Sequence, residues 1–199
     1  MDLILVRHAL PERLAVAPGA VADPGLCAEG RAQSEALGAW LSRESVAGLY
    51  TSPMRRAAET AEILGARLAL GVTTIGELVE RDHQSSEYVP LEEIKQSDPE
   101  RWRALVAEGG LYAGVDLVAF RLAIVAALED IIAAHRGETV VASLHGSGIN
   151  AWTSHVLGRE DILVFEPAYT GINRFRAAST GERSIVSLNE TGHLRNPAS

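Results

Sequence analysis

Two histidines and two arginines of this sequence lie next to short apolar segments, where the strands of an α/β sheet would end. Arg7 and His8 follow a run of four apolar residues, which is typical of a strand buried on both faces. His145 follows a second apolar run, and Arg56 begins a helix predicted to follow a short strand. Because the carboxyl ends of parallel strands meet at one edge of a sheet, these side chains are expected to converge there.

The chemistry of these four side chains favours a dianionic phosphate as their ligand. A guanidinium stays charged at any working pH and holds an oxyanion through two parallel hydrogen bonds, and an imidazole can act as nucleophile, base or ligand. Each residue taken alone is more typical of a solvated or structural side chain, so the prediction rests on their combination.

The composition predicts one globular domain. With 199 residues, of which 47% are apolar and 22% charged, the chain can bury a sizeable core. The formal net charge of -8 argues against binding to nucleic acid or to a membrane surface, which needs a basic face. Cys27 is the single cysteine, so no internal disulfide can form, and neither a leader nor a membrane-spanning run is found. We therefore expect a cytoplasmic protein.

The apolar periodicity predicts alternating strands and helices, the pattern of an α/β sandwich. Ser52 and Pro53 are predicted to be the N-cap and the first residue of the helix that carries Arg56. The glycines after His145 are predicted to let backbone N–H groups approach an anion closely. The predicted strands span residues 3–6, 49–51, 72–75, 139–144, 162–165, 171–177 and 184–189, and the other predicted helices span residues 28–43, 99–108, 116–136 and 149–157.

Five sequence blocks carry a resemblance to one family. Leu5–His8 resembles Leu-Val-Arg-His-Gly, and Leu26–Gly30 resembles Leu-Thr-x-x-Gly. Ser52–Ala61 resembles Ser-Pro-Leu-x-Arg-Ala-x-x-Thr-Ala, Ser143–Ser147 resembles Val-Ser-His-Gly-Gly, and Asn189–Leu194 resembles Asn-x-Thr-x-His-Leu. The blocks follow the family's order over nearly the whole chain, which is identified as a member of the histidine phosphatase (phosphoglycerate mutase-like) superfamily, in its phosphatase branch.

The resemblance implies a three-layer α/β/α sandwich with a central, mostly parallel sheet. It implies a single domain over residues 1–199, with a lid-like insertion at about 76–114. It also implies that His8 attacks phosphorus and becomes a phosphohistidine, while Arg7, Arg56 and His145 hold the phosphate oxygens and neutralise developing charge. No metal ion or cofactor is implied, and the expected partner is a small phosphorylated substrate.

A general acid must protonate the leaving group in such a reaction. The family's Leu-x-Glu pattern resembles Leu78-Val79-Glu80. We take Glu80 as the acid, with Asp82 as the alternative. The other histidines are interpreted as structural, solvated or packing residues: His83, His135, His155 and His193.

Three positions depart from the family pattern, namely Ala9, Leu144 and Ser147. Three functions remain open. The first is a phosphomonoesterase that acts through phospho-His8. The second is a mutase, although the residues after His8 do not match the Glu-Ser-x-Trp-Asn extension of phosphoglycerate mutases. The third is a catalytically impaired member that binds a phosphorylated ligand. The sequence indicates neither the substrate nor the oligomeric state.

Overall fold

The structure, a computed structural model, describes residues 1–17, 19–81, 87–89, 94–95, 97–100, 102–103 and 116–195. It contains the strands β1 (Asp2–Arg7), β2 (Leu14–Ala15), β3 (Val46–Thr51), β4 (Val72–Thr74), β5 (Glu87–Tyr88), β6 (Thr139–Leu144), β7 (Ile172–Ala177) and β8 (Arg183–Glu190). It contains the helices α1 (Ala28–Leu41), α2 (Arg55–Leu68), α3 (Leu117–Ala134) and α4 (Gly146–Val156), with short 3-10 turns at Gly76–Leu78 and Gly192–Leu194.

Six strands form a mixed sheet in the order β4-β3-β6-β1-β7-β8, and β2 pairs with β5 in a separate antiparallel ribbon. Strands β4, β3, β6 and β1 are parallel, whereas β7 and β8 are antiparallel to their neighbours. Arg7 pairs with Leu144 across β1 and β6. The next residues, His8 and His145, therefore leave the sheet side by side at one edge.

Helices cover both faces of the sheet because alternate residues of β1 bury opposite faces. Leu3 and Leu5 pack in a cluster with residues of α3 and α4, including the fully buried Trp152. Ile4 and Val6 pack in a second cluster with residues of α1 and α2. The predicted three-layer α/β class, with a mostly parallel sheet, is confirmed.

Two predicted elements differ from the structure. The segment 162–165, predicted to be a strand, does not pair in the sheet. The backbone N–H groups of Val164 and Phe165 instead donate to Oδ1 of Asn150, at 2.9 and 3.0 Å. A side chain of α4 thus satisfies donors that a strand partner would otherwise have taken. The helix predicted to begin at Ile149 begins at Gly146, so the glycine-rich residues after His145 are the first turn of α4.

Several predictions fall outside the described residues. They are Asp82, His83, most of the predicted helix 99–108 and much of the lid-like insertion at 76–114. The lid and the single-domain boundary remain predictions. In the part of the chain that the structure describes, none of the helices has both the length and the apolar character needed to cross a membrane.

Candidate active site

His8 lies at the carboxyl end of β1 and is 2% exposed. Its Nδ1 is 2.8 Å from the backbone oxygen of Ala9, and its Nε2 is 3.2 Å from Nε of Arg56. A carbonyl oxygen only accepts hydrogen bonds, and a guanidinium only donates them. We therefore assign the ring proton to Nδ1, which leaves the lone pair on Nε2.

The backbone after His8 is held by α2. The N–H of Ala9 donates to Oγ1 of Thr60 at 3.0 Å, and the same hydroxyl donates to the backbone oxygen of Arg56 at 2.7 Å. Ala9 stands where the family has glycine, is fully buried and does not have a positive φ. Its methyl group therefore imposes no backbone strain beside the histidine.

The start of α2 differs from the prediction in a way that shapes the site. The helix begins at Arg55 with Met54 as its N-cap, so the predicted cap at Ser52 is wrong. Asp23, from the loop before α1, accepts hydrogen bonds from the N–H of Arg55, at 3.0 and 3.2 Å to its two oxygens. Its carboxylate is also 3.7 Å from Nη1 of Arg56. The sequence analysis missed Asp23 because no local pattern links it to a helix that starts 32 residues later.

Ser52 binds the second histidine instead of capping the helix. Its Oγ is 2.8 Å from Nε2 of His145, and it accepts a hydrogen bond from the N–H of Met54 at 3.3 Å. When this hydroxyl donates to Nε2, Nδ1 of His145 carries the ring proton. Among the described residues, the buried Nδ1 of His145 and Nη1 of Arg56 have no hydrogen-bond partner.

Two tyrosines that the sequence analysis did not select lie against the arginines. The guanidinium carbon of Arg7 is 3.9 Å from the centroid of the Tyr169 ring, and Nη1 of Arg7 donates to the backbone oxygen of Pro167 at 2.7 Å. The guanidinium carbon of Arg56 is 4.6 Å from the centroid of the Tyr88 ring. These cation–π contacts orient both guanidinium groups, and no sequence pattern marks either tyrosine.

Burial and the nearby arginines keep both histidines neutral. Burial, followed by the charges of Arg56, His145 and Arg7, lowers the pKa of His8 well below its usual value. Burial and the same two arginines also lower the pKa of His145. Burial raises the pKa of the Tyr88 phenol, although Arg7 and Arg56 act against this shift. The site at neutral pH therefore combines two permanent cations with two uncharged imidazoles.

Glu80 follows the 3-10 turn Gly76–Leu78 and lies beside this cluster. Its Oε1 accepts hydrogen bonds from the Ser147 hydroxyl and from the N–H of Arg81, the latter at 2.9 Å. Its own N–H is 3.4 Å from Sδ of Met54, and Nη2 of Arg56 is 3.5 Å from the same sulfur. The Met54 sulfur thus lies between the backbone of Glu80 and the guanidinium group of Arg56.

The side chain of Leu144 and three further histidines lie outside this cluster. Leu144 is fully buried in the core that α3 and α4 form with the sheet. His135 lies between the Tyr50 hydroxyl and the Glu138 carboxylate, each at 2.6 Å, and His193 is 2.9 Å from Oγ1 of Thr170. His155 is exposed on α4, with its ring centroid 5.5 Å from that of Trp152. Among the described residues, no three side chains of His, Cys, Asp or Glu are grouped to hold a metal ion.

The chain is similar to known proteins of one family. A family model described as "Histidine phosphatase superfamily (branch 1)" matches residues 3–191. Phosphoserine phosphatase 1 from Hydrogenobacter thermophilus is 31% identical to this chain, over 98% of this chain and 94% of the relative.

Two solved structures have the same fold. A mutant phosphoserine phosphatase from Entamoeba histolytica, in complex with phosphoserine, aligns with a TM-score of 0.74 and 22% identity, covering 98% of this chain and 99% of its own. A mycobacterial glucosyl-3-phosphoglycerate phosphatase with bound VO3 aligns with a TM-score of 0.73 and 18% identity, covering 96% and 99%.

The fold, the clustered histidines and arginines, and the match over nearly the whole sequence define the class. The chain belongs to the histidine phosphatase superfamily, branch 1. The family predicted from the five sequence blocks is therefore confirmed.

Proposed function

We propose that this protein is a phosphomonoesterase that hydrolyses a small phosphorylated metabolite through a phosphohistidine on His8, without a metal ion. One observation carries the proposal: two buried nitrogens without hydrogen-bond partners, Nη1 of Arg56 and Nδ1 of His145, belong to side chains that contact His8. Buried donors without partners are costly, and the oxygens of a phosphate supply the acceptors that these nitrogens need.

In the first step, the lone pair on Nε2 of His8 attacks phosphorus while the bond from phosphorus to the ester oxygen breaks. Glu80 transfers its proton to that leaving oxygen. Arg7, Arg56 and His145 hold the other three phosphate oxygens, whose charge they stabilise during the transfer. The neutral state of His8 supports this role because a protonated imidazole has no lone pair to donate.

In the second step, water attacks the phosphohistidine. A bond forms from the water oxygen to phosphorus as the bond between Nε2 and phosphorus breaks. The Glu80 carboxylate, left ionised by the first step, takes the proton from that water. Inorganic phosphate leaves, and both His8 and Glu80 return to their starting states.

The departures from the family pattern support an active enzyme rather than an impaired binding protein. Ala9 has no positive φ, Leu144 packs in the core, and Ser147 bonds to the proposed acid. None of the three replaces a side chain that the proposed steps use. Phosphoserine is the first metabolite to test, because relatives of the same family are named as phosphoserine phosphatases.

The test is hydrolysis of 4-nitrophenyl phosphate from pH 4 to 9 in excess chelator, comparing the wild type with His8→Ala. We expect activity that persists in the chelator and disappears in His8→Ala. His155→Ala, the control substitution at an exposed histidine, should retain the activity. Acid-labile phosphate bound to His8 after a rapid quench would identify the intermediate. A folded wild-type protein that binds vanadate but forms no phosphoenzyme would instead be a binding member of the family.

The same quench distinguishes a mutase. A mutase would transfer the phosphoryl group from the phosphoenzyme to a second hydroxyl compound faster than to water. Release of inorganic phosphate at the rate of substrate loss is the outcome that the proposal requires.

A further inference from the structure

We infer that Ser147 is a positioning residue for Glu80: with the N–H of Arg81, its hydroxyl holds Oε1 and so orients the carboxyl group that transfers a proton to the leaving group. This inference rests on the proposed function, because it assigns a role through the acid of that reaction. It makes one of the departures from the family pattern a part of the site.

The geometry follows from the beginning of α4. The helix starts at Gly146, immediately after His145, so its first turn connects the cluster of histidines and arginines to Glu80. Ser147, in that turn, is 7% exposed and donates its hydroxyl proton to Oε1 of Glu80. Gly146, at the same turn, has no side chain that could reach the carboxyl group.

A second donor binds the same oxygen. The N–H of Arg81 donates to Oε1 at 2.9 Å, so this oxygen accepts two hydrogen bonds from different elements. The two donors thus restrain the orientation of the carboxyl group.

The same hydrogen bonds assist proton transfer. Once the carboxyl group has lost its proton, the bonds from Ser147 and Arg81 are made to a carboxylate and become stronger. They stabilise the product side of the transfer more than the reactant side, which is what a catalytic contribution requires. The loss of these hydrogen bonds should therefore lower kcat/KM more for leaving groups of higher pKa.

The experiment uses a series of phenyl phosphates whose leaving phenols range from 4-nitrophenol to phenol. The wild type, Ser147→Ala and Glu80→Gln are compared by the slope of log kcat/KM against the pKa of the phenol. We expect Ser147→Ala to lower kcat/KM about tenfold for phenyl phosphate but less than about threefold for 4-nitrophenyl phosphate. Glu80→Gln should give a steeper slope still.

Three further variants sharpen the test. Ser147→Thr keeps a hydroxyl and should restore the wild-type slope. Ser154→Ala is the matched control, because Ser154 is a fully buried serine of the same helix whose hydroxyl donates to the backbone oxygen of Arg159 at 3.2 Å. It should leave the slope unchanged. Adding Ser147→Ala to Glu80→Gln should cause no further steepening.

The outcomes separate the two proposals. If Glu80→Gln steepens the slope but Ser147→Ala lowers kcat/KM equally for all the substrates, the role of Ser147 is refuted and the proposed function stands. If Glu80→Gln leaves the slope unchanged, Glu80 is not the acid and the inference fails, whereas hydrolysis through phospho-His8 stands. If the wild type hydrolyses no member of the series, the proposed function fails and the inference fails with it.

Discussion

The imidazole rings of His8 and His145 lie with their centroids 5.1 Å apart, although 137 positions separate the residues in the chain. The parallel pairing of β1 with β6, with Arg7 opposite Leu144, brings the two strand ends together. Both rings are buried near two arginines, so both are held neutral. This arrangement has consequences for stability as well as for catalysis.

The first prediction concerns stability and pH. The pKa of each buried histidine is lower in the folded protein than in the unfolded chain, so the unfolded state binds more protons once the pH falls below about 6.5. The free energy of unfolding is therefore highest above that pH. It falls on acidification, by up to about 1.4 kcal/mol per pH unit for each histidine. Urea unfolding at pH 7.5 and 5.5 should show a smaller loss for His145→Gln than for the wild type; an equal loss would contradict the prediction.

The second prediction concerns the start of α2. Asp23→Ala removes the carboxylate that accepts from the N–H of Arg55, and it should lower the free energy of unfolding by about 1 kcal/mol. For a chain of this size the loss corresponds to roughly 2–4 °C in Tm. Asp161→Ala is the control, since Asp161 forms an exposed ion pair with Arg159 and should shift Tm by less than about 1 °C. Equal shifts in the two variants would rule out the capping role.

The third prediction concerns Arg56. Arg56→Lys keeps the charge but replaces a rigid fork of donors with a single ammonium group, which cannot contact His8 and a phosphate oxygen in the same geometry. Vanadate inhibition should weaken by roughly tenfold or more. Arg67→Lys, at an exposed arginine of the same helix paired with Glu35, should leave the inhibition constant unchanged. Unaltered vanadate affinity in Arg56→Lys would remove Arg56 from the phosphate site.

The fourth prediction concerns the packing of α1 against the segment after His8. A Cβ at Gly30 would lie 2.0 Å from the backbone oxygen of Leu10, which cannot move aside as a flexible side chain would. Gly30→Ala should therefore destabilise the protein by more than about 2 kcal/mol and reduce activity by displacing the segment next to His8. Gly71→Ala, where a Cβ would have nothing within 4 Å, should be close to neutral in chemical denaturation. A neutral Gly30→Ala would mean that the contact relaxes without cost.

The elements predicted from local signals were largely correct. The apolar run before Arg7 is a strand buried on both faces, Asp116 caps α3, and Gly137 follows that helix with a φ of 79°. Such signals lie within a few residues of the elements they mark, so a single sequence contains them. The errors at Ser52 and at 162–165 share one cause. Their backbone donors have partners from distant segments, Asp23 for α2 and Asn150 for 164–165.

The sequence by itself determined the family, the fold class and the four side chains that cluster at the sheet edge, because each motif follows the strand that places it. Only the tertiary structure decided which atoms of those side chains face one another. The contacts of Asp23, Tyr88 and Tyr169 with the arginines, and of Ser147 with Glu80, depend on how segments far apart in the chain pack. No local propensity encodes such a contact, since its energy arises only when both partners are brought together by the fold.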